Sequence, residues 1–426
     1  MNNKLKLVFT RNELIYILIA TLLFFQIYIQ NSVFFFKYFD EFIALCAGAF
    51  IIKSLFLKKV MKSCFRMIVC IILISAIGLI GNMLANVQKG ISPILTDMLN
   101  VFKVFIVYIA ASIYVLKINT KRTLCCLAFI MRLFVMCAFI CMLLHFFTGL
   151  NFGKEVRYGL ISYMFINKNP GQLSVMFYSI ILILAAELKY NSNFSPRGNL
   201  IFIIMALIVW ASTLRTRAFI YCLVYIYLYY YMILKKGKFK LNLGNGLIIT
   251  LITFLIGYEQ YETYFLNDRS ARAIFMKYGI KTLNTFFPLG SGFGTYGTDV
   301  AAKYYSKLYV QYGFQNVYGL SPDNLSFSHD TYWSAILAQF GFLGTILFVL
   351  LIFSWAKNIC LRTQRNKYSQ FIGIFIIFAL ITSSLASATF FNFVIVGTFF
   401  LIPLIFDSKN KEDYGENRNI DISQGI

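Results

Sequence analysis

Uninterrupted apolar stretches of about 20 residues recur along this chain, the length that crosses the hydrocarbon core of a bilayer as one helix. Residues 67–86 and 370–387, for example, contain no Asp, Glu, Lys or Arg. This constrains the fold more than any other feature. In lipid, every backbone N–H and C=O must be satisfied within the protein, which leaves helices or closed barrels. A barrel alternates apolar and polar residues over about 10 positions, and these stretches do not alternate. Composition agrees: 59% of the 426 residues are hydrophobic and 13% charged, against roughly 45–50% and 25% in soluble domains. Disordered chains show the reverse balance. The expected fold is an all-α polytopic membrane protein with about 12 transmembrane helices.

The expected spans are 13–31, 40–57, 67–86, 98–116, 124–147, 171–188, 199–214, 217–234, 246–263, 331–353, 370–387 and 390–406. Residues 1–263 hold helices one to nine of a single membrane domain and 331–406 hold helices ten to twelve. Residues 407–426 form a cytoplasmic tail. The formal net charge of +22 would suggest nucleic acid in a soluble protein. Here it reads as topology, because Lys and Arg collect on the cytoplasmic side, and no nucleic-acid partner is expected. Lys4, Lys6 and Arg11, then Lys53, Lys58, Lys59, Lys62 and Arg66, then Lys117, Lys121 and Arg122 fall on one side of the membrane. Lys235, Lys236, Lys238 and Lys240, then Lys357, Arg362, Arg365 and Lys367 join them. Both termini are therefore expected inside. No small-residue cleavage site follows the first basic cluster, so the first helix is expected to remain as an anchor. The nine cysteines fall in spans or inward loops with no CxxC spacing, so no disulfide framework is expected.

Residues 264–330 form one outward loop of roughly 65 residues, a length that is usually functional or disordered. Its aromatic patterning and Gly-rich turns indicate a folded segment. An amphipathic helix is expected over Ser270 to Thr285, with Ala273, Ile274, Met276, Ile280 and Leu283 on one face.

Basic residues on the outward side are the first chemical anomaly. Arg215 and Arg217 lie in Ser212-Thr213-Leu214-Arg215-Thr216-Arg217, between the seventh and eighth spans. Either they snorkel to headgroups or they hold phosphate, for which the planar, permanently charged guanidinium fork is suited. Arg269 and Arg272 are neighbours if helical. The run from Pro288 to Gly297, with Gly290, Gly292, Gly294 and Tyr296, lacks the strand–helix context of a dinucleotide loop. It is either a tight structural loop or a close approach to ligand. His145, in the fifth span, is expected to pack or hydrogen-bond; His329, at the end of the large loop, is the best general-base candidate. Asp323 and Asp330 lie near it. Asp40 and Glu41 are either a rival acidic site or acids favoured at a helix N-terminus. Lys103 and Arg132 are charges inside expected spans, which are functional hypotheses by default. Two distant histidines and no outward cysteine argue against a zinc site.

From about 205 to 353 the chain resembles the bacterial O-antigen polymerase/ligase family of membrane glycosyltransferases. The resemblance is carried by the Thr213–Arg217 turn, Arg269 and Arg272, the Pro288–Tyr296 glycine segment, His329-Asp330-Thr331-Tyr332-Trp333 and Gly341-Phe342-Leu343-Gly344. Family members often have Asn or Ser after the histidine. They often show Ser-Arg where this chain has Arg215-Thr216-Arg217, with Arg217 the match by register.

The resemblance implies a reaction at the outer face of the bacterial cytoplasmic membrane. An undecaprenyl-diphosphate-linked oligosaccharide donates its glycan, and undecaprenyl diphosphate leaves. In a polymerase of O-antigen, capsule or exopolysaccharide the acceptor is another lipid-linked repeat; in a ligase it is a different final acceptor. A flippase and a chain-length regulator of the same pathway are the implied partners, and no cofactor or metal is needed. Arg217, Arg215, Arg272 and Arg269 are expected on the diphosphate, which preorganised cations stabilise as it leaves. His329, with Asp330, is expected on the acceptor hydroxyl. The glycan is expected against Gly290, Gly292, Gly294, Tyr296, Tyr332 and Trp333, with Tyr304, Tyr305, Tyr309, Tyr312 and Tyr318 as further flat faces. A lipid-oligosaccharide flippase or transporter is the alternative class; such proteins tend to show internal repeats, and no matching halves are visible.

Overall fold

The computed structural model describes residues 9–58, 60–190, 196–235, 270–328, 330–364 and 366–406, with short stretches at 246–247, 250–251, 253–254, 257–258, 261–262 and 266–267. The expected ninth span falls largely outside these residues, as do Arg269, His329 and the tail.

The first half runs α1 (Arg11–Ile29), α2 (Phe39–Phe56), α3 (Lys62–Ala85), α4 (Ile91–Tyr114) and α5 (Thr120–Phe147). A hairpin, β1 (Gly153–Arg157) and β2 (Leu160–Tyr163), precedes α6 (Pro170–Glu187), α7 (Pro196–Ser212) and α8 (Thr216–Tyr229). After it come α9 (Ala271–Thr285), α10 (Asp299–Lys303), α11 (Lys307–Gln311), α12 (Tyr332–Thr363), α13 (Lys367–Ala386) and α14 (Phe393–Ile405). Among the described residues, eight helices are long and apolar enough to cross a membrane. α7 and α14 are apolar but shorter. α2 is not among the eight; it carries Asp40, Glu41 and Lys53.

Burial sorts the helices. α14 is apolar on every side and buried from Val394 to Ile405. α4 is enclosed from Val101 to Ile113. α3 instead exposes Ile72, Leu79, Ile80, Met83 and Leu84, an apolar outer face. Local signals set the ends. Thr10 and Glu13 make a capping box at the start of α1. Asn169 caps α6, its Oδ1 accepting from the Gln172 N–H at 2.9 Å, with Pro170 in the first turn.

One helix is broken by design. Inside α12, Gly341 has φ 60° and ψ −159°, which interrupts the helical ladder. The Pro288–Gly294 segment fills the gap. The N–H groups of Ser291 and Gly292 donate to Ala338 O (2.9 Å) and Gln339 O (2.8 Å), and Leu343 N–H donates to Pro288 O at 3.2 Å. The carbonyls and N–H released by the break thus find backbone partners, as buried groups must. Asn82 of α3 locks the same segment: its Nδ2 donates to Phe293 O (2.9 Å) and its Oδ1 accepts from Phe293 N–H (2.8 Å). Asp97 of α4 accepts from Gly294 N–H at 2.7 Å.

Residues 270–328 pack around their own aromatic cluster of Phe275, Tyr296, Tyr309 and Phe314. The helix expected over 270–285 is present, capped by Ser270. Its buried face differs from the expectation: Phe275, Gly279 and Thr282 are buried while Ile280 is 46% exposed. Gly279 sets this face, since a Cβ there would sit 3.0 Å from Ser334 O of α12; the helix turns its smallest residue to the contact.

The close approach at the break generates a test. A Cβ on Gly290 would lie 2.4 Å from Gly341 N and 2.5 Å from Gln339 O, at a φ of +79°. Gly290→Ala should therefore sharply reduce folded protein in detergent extracts. Gly48→Ala, where nothing lies within 4 Å, should leave thermal stability unchanged or raised. Equal behaviour of the two variants would refute the insertion.

Candidate active site

Helix N-termini and arginines converge at one end of the bundle, around a cavity of about 1160 Å³. Its wall is drawn from many parts of the chain, among them Gln30 and Lys37, Asp40, Glu41 and Lys103, Glu155 and Arg157, Asn169, Gly171 and Gln172, Arg215 and Arg217, Ser270 to Arg272, Tyr318 and Asp330, and Ser387, Asn392 and Phe393. The turns at the opposite end carry Lys58, Lys62, Lys117, Lys121, Arg122, Lys189, Arg362 and Lys367.

The α7–α8 junction is tight. Thr213 caps the end of α7 through its hydroxyl to Trp210 O (2.7 Å), and Leu214 takes the left-handed conformation at φ 50°. Arg215 becomes the N-cap of α8, with Arg217 in its first turn. Arg217 Nη1 donates to Ser383 Oγ (3.0 Å) and Ser387 Oγ (2.6 Å) at the end of α13. Arg215 Nη2 donates to Glu155 Oε1 at 3.1 Å. Arg272, in the first turn of α9, reaches Asp330 Oδ2 through Nη2 at 2.9 Å and Nε at 3.3 Å. A cation at a helix N-terminus is opposed by the macrodipole. Here three arginines stand at the N-termini of α8 and α9, and the N-terminal turn of α6 lies against Arg215. Such a site favours an anion.

Carboxylates balance these cations. Glu155 bridges Arg215 and Arg157, its Oε2 accepting from Arg157 Nε at 3.2 Å. At the floor, Lys103 Nζ lies 2.5 Å from Asp40 Oδ2 and 3.7 Å from Glu41 Oε1, while Gln26 donates to Asp40 Oδ1 at 2.8 Å. Lys103 and Asp40 side chains are 4% and 1% exposed; only a paired charge is tolerated there.

Arg215, Arg217, Arg272 and Asp330 therefore line one space, together with Asp40, Glu41 and Lys103. The remaining candidates sit elsewhere. Gly290 and Gly292 are buried in the α3–α12 packing described above, Gly294 is held by Asp97 of α4, and Tyr296 belongs to the aromatic cluster of residues 270–328; none of them lines the cavity. Tyr332 is buried against Phe390 and Phe391, and Trp333 donates to Ser384 Oγ at 3.2 Å; they stand behind the wall. Of the tyrosines of the large loop, Tyr318 reaches the cavity; Tyr304, Tyr305, Tyr309 and Tyr312 do not line it, nor does Asp323. Burial pushes the Tyr296 and Tyr309 phenols up, away from acid–base use. Arg132 pairs with buried Glu187.

Glu155 and Arg157 are the residues that sequence reasoning missed. Their signal is Tyr158-Gly159, both with positive φ (50° and 76°), between short runs that pair as strands; a two-residue turn of that kind closes a hairpin. His145, expected to pack or hydrogen-bond, accepts from Phe152 N–H at Nδ1 (3.1 Å), and its Nε2 lies 3.2 Å from Ile161 O. It fastens the base of this hairpin.

Among the described residues, no group of three or more His, Cys, Asp or Glu gathers as a metal site. No protein-family model and no curated protein sequence matches the chain.

The buried floor pair predicts a stability effect. Lys103→Ala leaves Asp40 charged and unpaired, at a cost of about 3–5 kcal/mol. Adding Asp40→Asn should recover much of that loss in denaturant or thermal unfolding of the purified protein. No recovery in the double variant would show that the pair is not the source of the cost.

Proposed function

We propose that this chain is a polysaccharide polymerase, joining undecaprenyl-diphosphate-linked repeat units of an O-antigen, capsule or exopolysaccharide. It works at the outer face of the bacterial cytoplasmic membrane, with about 12 spans, both termini inside and the cavity facing outward. The observation that carries the reading is the convergence of Arg215, Arg217 and Arg272 on one polar cavity, at the end of the bundle opposite the basic turns. A cavity of about 1160 Å³ lined by several arginines fits a lipid diphosphate.

The acceptor sugar hydroxyl attacks the anomeric carbon of the donor glycan. The bond from that carbon to the diphosphate oxygen breaks, and its electron pair leaves on undecaprenyl diphosphate. The arginines stabilise the developing charge, a role in which one preorganised donor is worth about 10²–10³ in rate. Their permanent charge supplies what a divalent metal would supply, so the reading requires no metal. The hydroxyl proton passes to His329, whose sequence neighbour Asp330 is held by Arg272. Energy comes from the glycosyl diphosphate bond, and no nucleotide is consumed.

Cells lacking the protein test the class of reaction. Single lipid-linked repeats on the outer face are expected. Long polymer retained on its lipid would replace the polymerase by a ligase of the same family, and repeats trapped inside would replace it by a flippase. Arg217→Ala should abolish polymer, a loss of about 100-fold or more in turnover, with normal amounts of protein in the membrane; normal polymer would remove Arg217 from the site. His329→Ala should cut turnover more than lipid-donor binding, and equal loss of both would make it structural.

A further inference from the structure

The hairpin presents Glu155 and Arg157 at strand positions two apart, hence on one face. Val156 between them is 71% exposed on the other face. Both ends of the hairpin are fastened. His145 holds the base, and Tyr158 OH lies 3.4 Å from Thr216 Oγ1, in the first turn of α8. Ser162 Oγ donates to Glu155 O at 2.8 Å. The Glu155 carboxylate is thereby set between two guanidiniums from different elements, Arg215 on one oxygen and Arg157 on the other.

Two guanidiniums on the two oxygens of one anion is the arrangement a phosphate group would take. We propose that Arg157 and Arg215 form a clamp for one phosphate of the lipid diphosphate, and that Glu155 is an internal stand-in which that phosphate displaces. The proposal rests on the polymerase reading and adds to it a binding residue, Arg157, and an occupant that the ligand must replace. The exchange is physically reasonable. Glu155 is 40% exposed and its arginines 25% and 22%, so each ion pair is worth little on its own. A phosphate offers both guanidiniums a higher charge and more acceptor oxygens. The exchange also frees the Glu155 carboxylate from its two guanidiniums only when a diphosphate is bound. With the clamp occupied by its own side chain, the arginines are kept in position without a ligand and are spared mutual repulsion.

The proposal separates two roles that ordinary mutagenesis merges. If Glu155 competes with the ligand, removing its charge tightens binding; if it only positions the arginines, removing its charge weakens binding. The probe is inorganic pyrophosphate, titrated into the full-length protein in detergent or nanodiscs, with affinity read by calorimetry. Glu155→Gln is expected to bind pyrophosphate roughly 3–10-fold more tightly than the wild type, the equivalent of one or two exposed ion pairs. Glu155→Asp, which keeps the charge, should return towards wild-type affinity. Arg157→Gln should bind several-fold more weakly. Unchanged or weaker binding by Glu155→Gln, with pyrophosphate bound by the wild type, overturns the stand-in and leaves the polymerase reading intact. Wild-type affinity in Arg157→Gln removes that residue from the clamp. Absence of pyrophosphate binding in the wild type and in every variant overturns the diphosphate site itself, and with it the reading on which this inference rests.

Discussion

The arrangement of the cavity depends on the way a broken helix is repaired. α12 is interrupted at Gly341, and in an apolar bundle the backbone groups released there have no water to turn to. The Pro288–Gly294 segment supplies their partners by main-chain hydrogen bonds to Ala338, Gln339 and Leu343. Asn82 and Asp97 then bind the segment to α3 and α4. A region that would otherwise be a long loop becomes part of the bundle. Its helix α9 is packed on α12 through Gly279, which brings Arg272 to Asp330 and both to the cavity. The glycines are needed because backbone meets backbone: at Gly290, Gly292 and Gly341 a Cβ would come within 2.4 Å of its neighbours.

Charge is organised against its own repulsion. Arginines at the N-termini of α8 and α9 stand where the helix field opposes them. Each is held by a polar partner: Glu155 for Arg215, Ser383 and Ser387 for Arg217, and Asp330 for Arg272. A second, more deeply buried set, Lys103 with Asp40 and Glu41, closes the floor. The cavity is thus rich in cations without a large uncompensated charge, and under the proposed reading a diphosphate would replace carboxylate and hydroxyl contacts to the arginines with phosphate ones. That exchange is what the proposed chemistry requires, since leaving-group charge must be met by groups already in place.

Much of the fold was legible in the sequence because hydropathy in a membrane-like chain is a direct physical signal. The long apolar helices stand where continuous apolar runs lie, and the short polar junction at Arg215–Arg217 is a helix start. The helix over 270–285 was legible too, though its buried face was misjudged: apolar periodicity pointed to Ile280, while the contact with α12 is made by Gly279, which no hydrophobicity pattern marks. The glycine segment was readable as either a tight loop or a ligand loop, and its packing role depends on a break 50 residues away in sequence. The hairpin was missed because its strands are short and its alternation brief, so its contribution of Glu155 and Arg157 to the cavity had no visible cause. Lys103 was recognisable as an anomaly, but its partner Asp40, 63 residues earlier, emerges from helix packing alone.

The most direct measurement of the central claim is reconstitution. Purified protein in liposomes, supplied with a synthetic polyprenyl-diphosphate-linked repeat unit and a metal chelator, should release polyprenyl diphosphate and form lipid-linked glycan of two repeats and longer. Stoichiometry should be one polyprenyl diphosphate for each new glycosidic bond. Transfer of intact lipid-linked repeat across the bilayer, without bond formation or diphosphate release, would contradict the account.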